Sequence, residues 1–220
     1  MSDSREVNVV TADGCESYAA AANNQPLPRM TSNSREGVRR RALVLSFLQL
    51  PNAGRDMSAA LRILKADLDQ DLHATWTLEL LDAYAQDRMG AGQPLSAFAR
   101  THLISGLRAH PGTVVLLAMR AERGVGIAIC FRGFSTFAAR PLLNISDFYV
   151  DPAARGYGIG RELMEAIERE ANELGCCKLT LEVQENNSRA RGLYAAAGFS
   201  QDVHVAEAGG ALFLSKPLIS

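Results

Sequence analysis

The sequence predicts an α+β fold, a three-layer α/β/α sandwich around a mixed, mostly antiparallel sheet. Two observations carry the sheet. Three strand-like segments follow one another between Thr113 and Val150, and the turn at Ala121-Glu122-Arg123-Gly124 makes the first two a hairpin. A strand, a glycine-rich turn, a patterned helix and another strand then run from Leu142 to Val183, which is a β-α-β crossover and gives a parallel pair. A third observation carries the outer layers: two helical segments precede the hairpin and two follow the turn, enough to cover both faces.

Composition narrows the class of protein. Hydrophobic residues make up 47% and charged residues 21% of the 220-residue chain, as in a soluble globular protein, and the length suits one domain plus an extension. A net charge of -1 gives no basic field for nucleic acid. No apolar run reaches the roughly 20 residues of a membrane span, so no membrane partner is expected. Cys15, Cys130, Cys176 and Cys177 show no metal-ligand spacing, and neither do His73, His102, His110 and His204. Reduced thiols and a cytoplasmic location are expected, with no metal.

Residues 1–56 read as a flexible or weakly structured extension. Residues 11–30 are rich in Ala, Asn and Pro, and Arg39-Arg40-Arg41 precedes a short apolar run ending at Leu50. The functional domain is expected over residues 57–220, starting at or near Met57. Leu61 to Leu68 reads as a first strand closed by Asp67 and Asp69. Asp69 and Asp71 offer an N-cap for a helix from Leu72 to Met89, with Leu72, Trp76, Leu80, Ala83 and Tyr84 at helical spacing and Gly90-Ala91-Gly92 at its end. Ser96 to Ala109 is a second helix with Phe98, Leu103, Ile104 and Leu107 on its buried side. Thr113 to Arg120, Val125 to Phe134 and Leu142 to Val150 are strands. The helix from Gly160 to Leu174 carries Leu163, Met164, Ile167, Ala171 and Leu174 on one stripe, and Gly175 caps it. Cys177 to Val183 is a strand, Ser188 to Ala197 a short helix, and Ser200 to Val205 with Ala211 to Leu214 a final hairpin.

The chemistry centres on Arg155-Gly156-Tyr157-Gly158-Ile159-Gly160. A strand that feeds a glycine-rich turn and then a helix N-terminus makes an anion site, because glycine lets backbone N–H groups approach a phosphate and the helix dipole adds partial positive charge. Arg155 adds a guanidinium whose fork suits phosphate oxygens. A pyrophosphate-bearing ligand is expected here. The glycine spacing differs from the dinucleotide fingerprint and the Walker lysine is absent.

With a second pattern downstream, the chain resembles the GNAT superfamily of acyl-CoA N-acyltransferases. The first family signature, R/Q-x-x-G-x-G/A after a strand, stands here as Phe148-Tyr149-Val150-Asp151-Pro152-Ala153-Ala154-Arg155-Gly156-Tyr157-Gly158-Ile159-Gly160. The second, N-x-x-A-x-x-L-Y-x-x-x-G-F, stands as Asn187, Ala190, Leu193, Tyr194, Gly198 and Phe199. The resemblance covers about residues 57–220.

The resemblance implies an acetyl-CoA-dependent N-acetyltransferase that acetylates a primary amine directly. It places the pyrophosphate on the backbone from Arg155 to Gly160 and the neighbouring Arg161. It places the pantetheine arm along Phe148, Tyr149 and Val150, with Asn187 and Ala190 on its other side. The thioester carbonyl then lies near a backbone N–H of that strand, and Tyr194 is the acid that protonates the departing thiolate. A glutamate base of diamine-acetylating relatives matches Ser146, which is no base. Asp147 is adjacent, but strand alternation turns it to the other face unless a bulge intervenes. Arg189 and Arg191 are either phosphate contacts or a solvated helix face. The acceptor is expected to be a small-molecule amine, and Asp67, Asp69, Asp71 and Glu79 are candidates to attract its charge. Two alternatives stay open, a non-catalytic acyl-CoA sensor of the same fold and a protein N-acetyltransferase. The resemblance also admits a homodimer.

Overall fold

The computed structural model describes residues 59–201. The expected N-terminal extension (residues 1–56), the domain start at Met57 and the final hairpin, His204 included, lie outside these residues. The elements run β1 (Leu61–Lys65), α1 (Asp71–Gln86), α2 (Ala97–Ala109), β2 (Thr113–Arg120), β3 (Arg123–Ser135), β4 (Arg140–Val150), a single 3-10 turn (Pro152–Ala154), α3 (Ile159–Glu173), β5 (Leu179–Leu181) and α4 (Ser188–Ala196). The sheet order is β1-β2-β3-β4-β5. The first four strands pair antiparallel, and β4 pairs parallel with β5. This is the mixed, mostly antiparallel sheet that the sequence predicts.

Two cores lie on opposite faces of the sheet and complete the three layers. One gathers Val114, Leu116, Ala128, Cys130, Leu143 and Ile145 against Leu163, Met164 and Ile167 of α3 and Tyr194 of α4. The other gathers Val115, Leu117, Ile127, Ile129 and Tyr149 against Leu80 and Leu81 of α1 and Leu107 of α2. Consecutive residues Val114 to Leu117 alternate between the cores, as the two-residue period of a strand requires.

Local chemistry sets the element ends. The strand expected to reach Leu68 stops at Lys65, because Asp67 accepts from the Asp69 N–H at 3.0 Å and turns the chain. The N-cap of α1 is Gln70 and makes no side-chain capping bond, so neither Asp69 nor Asp71 fills that role. The same helix ends at Gln86 rather than Met89, since Asp87 adopts an extended conformation (φ -66°, ψ 147°). Ser96 caps α2 by accepting from Ala99 N–H at 3.1 Å. Phe98, expected on the buried side of α2, is 62% exposed and stacks on His102 one turn away. Glu170, on the buried side of α3, pairs with Lys65 of β1.

One irregularity matters most for the site. In the β3–β4 ladder Ile129 faces Asp147 and Cys130 faces Ile145, so Ser146 is an unpaired extra residue, a β-bulge. Before it, Leu143 and Ile145 point to the α3 core; after it, Phe148 and Val150 do, while Tyr149 points to the α1–α2 core. The bulge thus shifts the strand's alternation by one residue.

Candidate functional site

The site forms where β4 leaves the ladder it shares with β5. Their pairing covers only Leu143↔Leu179, Asn144↔Thr180 and Ile145↔Leu181. From Asp147 to Val150, β4 pairs with β3 alone, and its other edge is free of β5. Among these residues lie Phe148, Tyr149 and Val150. An extended strand edge without a neighbour can pair with an amide-bearing chain, as in strand addition.

The glycine turn closes one end of this edge. Gly156 has φ +91° and Gly158 φ +78°, left-handed conformations that disfavour a side chain. A Cβ at either would meet no heavy atom within 4 Å, so the space in front of both is open. Gly158 is the N-cap of α3 and offers no side-chain cap, and the first intrahelical bond seen there is Glu162 N–H to Gly158 O at 3.1 Å. The N–H groups of Ile159, Gly160 and Arg161 therefore point outward from the helix start, unsatisfied by helix geometry. That is the donor set of an anion site, and it suits a pyrophosphate. Gly160 has a different role: a Cβ there would sit 3.2 Å from Leu193 Cδ2 and 3.8 Å from Phe148 Cε1, so its lack of a side chain lets α3 approach α4 and β4.

The side chains around the turn differ in availability. Tyr157 is 55% exposed. Arg161 is exposed and lies 3.5 Å from Glu165 on its own helix. Arg155 is turned inward: its Nε donates to Val150 O at 2.9 Å, its Nη2 donates to Asp87 Oδ2 at 2.8 Å, and its guanidinium lies 5.7 Å from the Tyr149 ring centroid. The phosphate fork expected from sequence is occupied by protein partners.

Across the gap, Asn187 caps α4, its Oδ1 accepting from Ala190 N–H at 3.2 Å. Ala190 is half-buried against the α3 core. Arg191 donates to the Glu185 carbonyl at 3.0 Å, and Arg189 is exposed. Tyr194 is 8% exposed, edge-on to Phe148 at 6.0 Å and 5.9 Å from Phe199. Burial, and secondarily the Tyr84 phenol, push its hydroxyl up to about 12, so it stays protonated at neutral pH. Phe148, one residue beyond Asp147, therefore lines the same side of the gap as Tyr194.

Asp147 stands on the other face. The bulge at Ser146 turns it to the face that Ser146 would occupy in an unbroken strand, and Tyr149, two residues on, is buried in the α1–α2 core. Burial pushes its carboxyl above the usual carboxylate range, against a hydrogen bond from the Ser146 hydroxyl. Its charge is felt by Tyr84 of α1, which packs 5.8 Å from Tyr149. Tyr84 thus interacts electrostatically with both Asp147 and Tyr194. Tyr84 reads in sequence only as an apolar helix position, and nothing local announces its partners.

The acids expected to draw an amine are mostly elsewhere. Asp67 and Asp69 belong to the turn after β1, and Asp71 opens α1; these lie at the Lys65↔Leu116 end of the sheet. The glycine turn follows Val150, at the opposite end, where Val150 pairs with Gly126. Glu79 is exposed, although desolvation pushes its carboxyl up against the pull of Arg123 and Arg100. Asp87, which sequence reasoning missed, is the acid beside the turn. Among the described residues there is no group of three or more His, Cys, Asp or Glu side chains placed to hold a metal. No helix among them is long and apolar enough to cross a membrane.

Comparison with known proteins agrees with this architecture. The description of the acetyltransferase (GNAT) family matches residues 70–199, from the start of α1 to just beyond α4. An uncharacterized N-acetyltransferase, YhfO, of Bacillus subtilis is 29% identical over 118 residues, 54% of this chain and 73% of that protein. Thialysine N-epsilon-acetyltransferase of Bos taurus is 37% identical over 83 residues, which cover 38% of this chain and 48% of that enzyme's length. An aminoglycoside N(6')-acetyltransferase type 1 of Klebsiella aerogenes is 28% identical over 111 residues, 46% of this chain and 68% of that protein. Among solved structures, a probable acetyltransferase shares the fold at a TM-score of 0.61 and 19% identity, covering 72% of this chain and 99% of that one.

Proposed function

The chain belongs to the GNAT acetyltransferase family, and from that premise we propose that it transfers an acetyl group from acetyl-CoA directly to the primary amine of a small molecule. The observation that carries the reading is the open edge of β4 leading into a glycine turn with outward N–H groups. Acetyl-CoA carries a pyrophosphate, an amide-rich arm and a thioester, and the turn, the free edge and the adjoining Tyr194 suit these in that order. The names of the relatives, which act on thialysine and on an aminoglycoside, support a small polyamine-like or amino-acid-like acceptor.

In this reading the two sides of β4 divide the reaction. The backbone N–H groups of Gly156 to Arg161 hold the pyrophosphate, Phe148 to Val150 pair with the pantetheine amides, and Asn187 and Ala190 border the arm from α4. The acceptor enters from the α1–α2 side as the neutral amine, its ammonium proton already lost to solvent, and Asp147 takes the second proton from the nitrogen as the C–N bond forms. The nitrogen lone pair attacks the thioester carbonyl, and a β4 backbone N–H stabilises the developing oxyanion. The C–N bond forms, the C–S bond breaks, and Tyr194 donates its phenolic proton to the leaving thiolate. Solvent returns a proton to Tyr194 and removes one from Asp147. The products are the N-acetyl amine and free CoA.

The test is thiol release from acetyl-CoA against a panel of primary amines that includes thialysine and an aminoglycoside. Amine-dependent release of CoA is expected. Tight acetyl-CoA binding with a silent panel would instead favour a sensor.

A further inference from the structure

The cation of the glycine turn is already committed to protein. Arg155 bonds at once to the end of β4 through Val150 O and to the end of α1 through Asp87, and lies over Tyr149 between them. Asp87 is equally engaged, because its Oδ1 accepts from Met89 N–H at 2.9 Å while its Oδ2 holds Arg155. Both interactions hold its carboxyl below the usual carboxylate range, the backbone bond first. The pair is largely withdrawn from water, with side-chain exposures of 30% for Arg155 and 13% for Asp87. Removing one partner of such a pair strands the other charge.

The bridge ties the α1–α2 loop to the donor side of the site. Gln184, beyond β5, reaches the same loop from the opposite side, its Nε2 donating to Met89 O at 3.4 Å. The loop is therefore tethered to both walls of the gap beside β4. Gly90 keeps it tight, since a Cβ there would fall 2.1 Å from Tyr84 O.

We propose that Asp87 is a positioning residue: through Arg155 it locks the α1–α2 loop against the glycine turn, so that one guanidinium sets the geometry of both the donor turn and the acceptor's entrance, and phosphate binding falls to backbone N–H groups. The proposal rests on the acetyl-CoA and amine reading above. The contrary view makes Arg155 a phosphate ligand that merely rests on Asp87.

A double-mutant cycle separates the two views. Asp87→Asn, Arg155→Gln and the double variant are compared with wild type for acetyl-CoA Kd by titration calorimetry, and for kcat and KM with whichever of thialysine or an aminoglycoside is turned over. Each single variant is expected to raise the amine KM about tenfold, with the double variant no worse than either, because coupled partners are not additive. Acetyl-CoA Kd should stay within about threefold of wild type throughout, since no phosphate contact is lost. Asp87→Glu should recover part of the amine KM, which loss of folding alone would not predict. Arg155→Lys keeps the charge but cannot span both partners, so the clamp predicts the same rise in KM. Weakening of acetyl-CoA by tenfold or more in Arg155→Gln but not in Asp87→Asn would overturn the proposal, as would additive losses or a wild-type-like Arg155→Lys. Wild-type protein that releases no CoA with any amine would overturn the functional reading and the clamp together.

Discussion

Replacing Tyr194 with phenylalanine separates catalysis from folding in a way the structure makes quantitative. The ring stays, and with it the contacts at 6.0 Å to Phe148 and 5.9 Å to Phe199, each aromatic pair contributing about 0.5–1.5 kcal/mol. Only the hydroxyl goes, and it is not one of the buried polar atoms left without a partner. Losing one hydroxyl from a largely buried position changes stability by about 1 kcal/mol. Losing a general acid costs about 10²–10⁴-fold in rate. The expected result is a fall in kcat of that order, unchanged acetyl-CoA affinity and an unfolding free energy within about 1 kcal/mol of wild type. Steady-state thiol release, calorimetric titration and urea unfolding read the three quantities. Because the phenol is pushed up to about 12, wild type should also show no alkaline loss of activity from Tyr194 below about pH 10. A variant that keeps wild-type kcat would refute the assignment. So would a loss of activity matched by an equal loss of stability.

Asp147→Asn should lower kcat by about 10²–10⁴-fold, and the residual activity should lack the acidic limb of the pH–rate profile. The sign for stability follows from a folded pKa raised by burial. The wild-type carboxyl contributes stability below its unfolded pKa and loses it as pH rises through the folded value, so the variant should be the more stable protein at pH 8, with the gain shrinking toward pH 4. Urea titrations at both pH values check this, and an equal gain at both would contradict it. Gly158→Val should weaken acetyl-CoA binding, because its side chain enters the open space before the turn, and should destabilise the fold by about 1–2 kcal/mol through the positive φ. Normal affinity by titration would remove the turn from the donor site.

What the sequence discloses depends on how locally each feature is determined. The stripe on α3 is legible because Leu163, Met164, Ile167 and Ala171 repeat at the helical period and all are buried. Ser96 is legible as a cap because its bond goes three residues ahead. Phe98 shows the limit: periodicity predicts an apolar face but not whether anything covers it. Glu170 lies on the buried side of α3, and nothing near it in sequence points to its partner Lys65, 105 residues away. The site follows the same rule. The glycine turn is contiguous and can be read. The partner of Arg155 is 68 residues distant, so a guanidinium that looks free for phosphate in sequence is bound to Asp87 in the fold. The bulge at Ser146 is set by β3 pairing, which composition does not encode.

That bulge has a practical meaning for anyone redesigning the enzyme. Alignment would nominate Ser146 as the place to graft a stronger base, since the glutamate of diamine-acetylating relatives matches it. Yet the extra residue makes β4 run out of phase with its own first half, and Ser146 is the exposed crest where the phase changes. A glutamate installed there would face water. The coordinate to edit is Asp147, where lengthening the side chain by one methylene extends the carboxylate on the α1–α2 face. Deleting Ser146 would be the opposite experiment in miniature: one residue fewer would restore an unbroken ladder with β3 while leaving Asp147 opposite Ile129 on the α1–α2 face and Phe148 and Val150 on the α3 side.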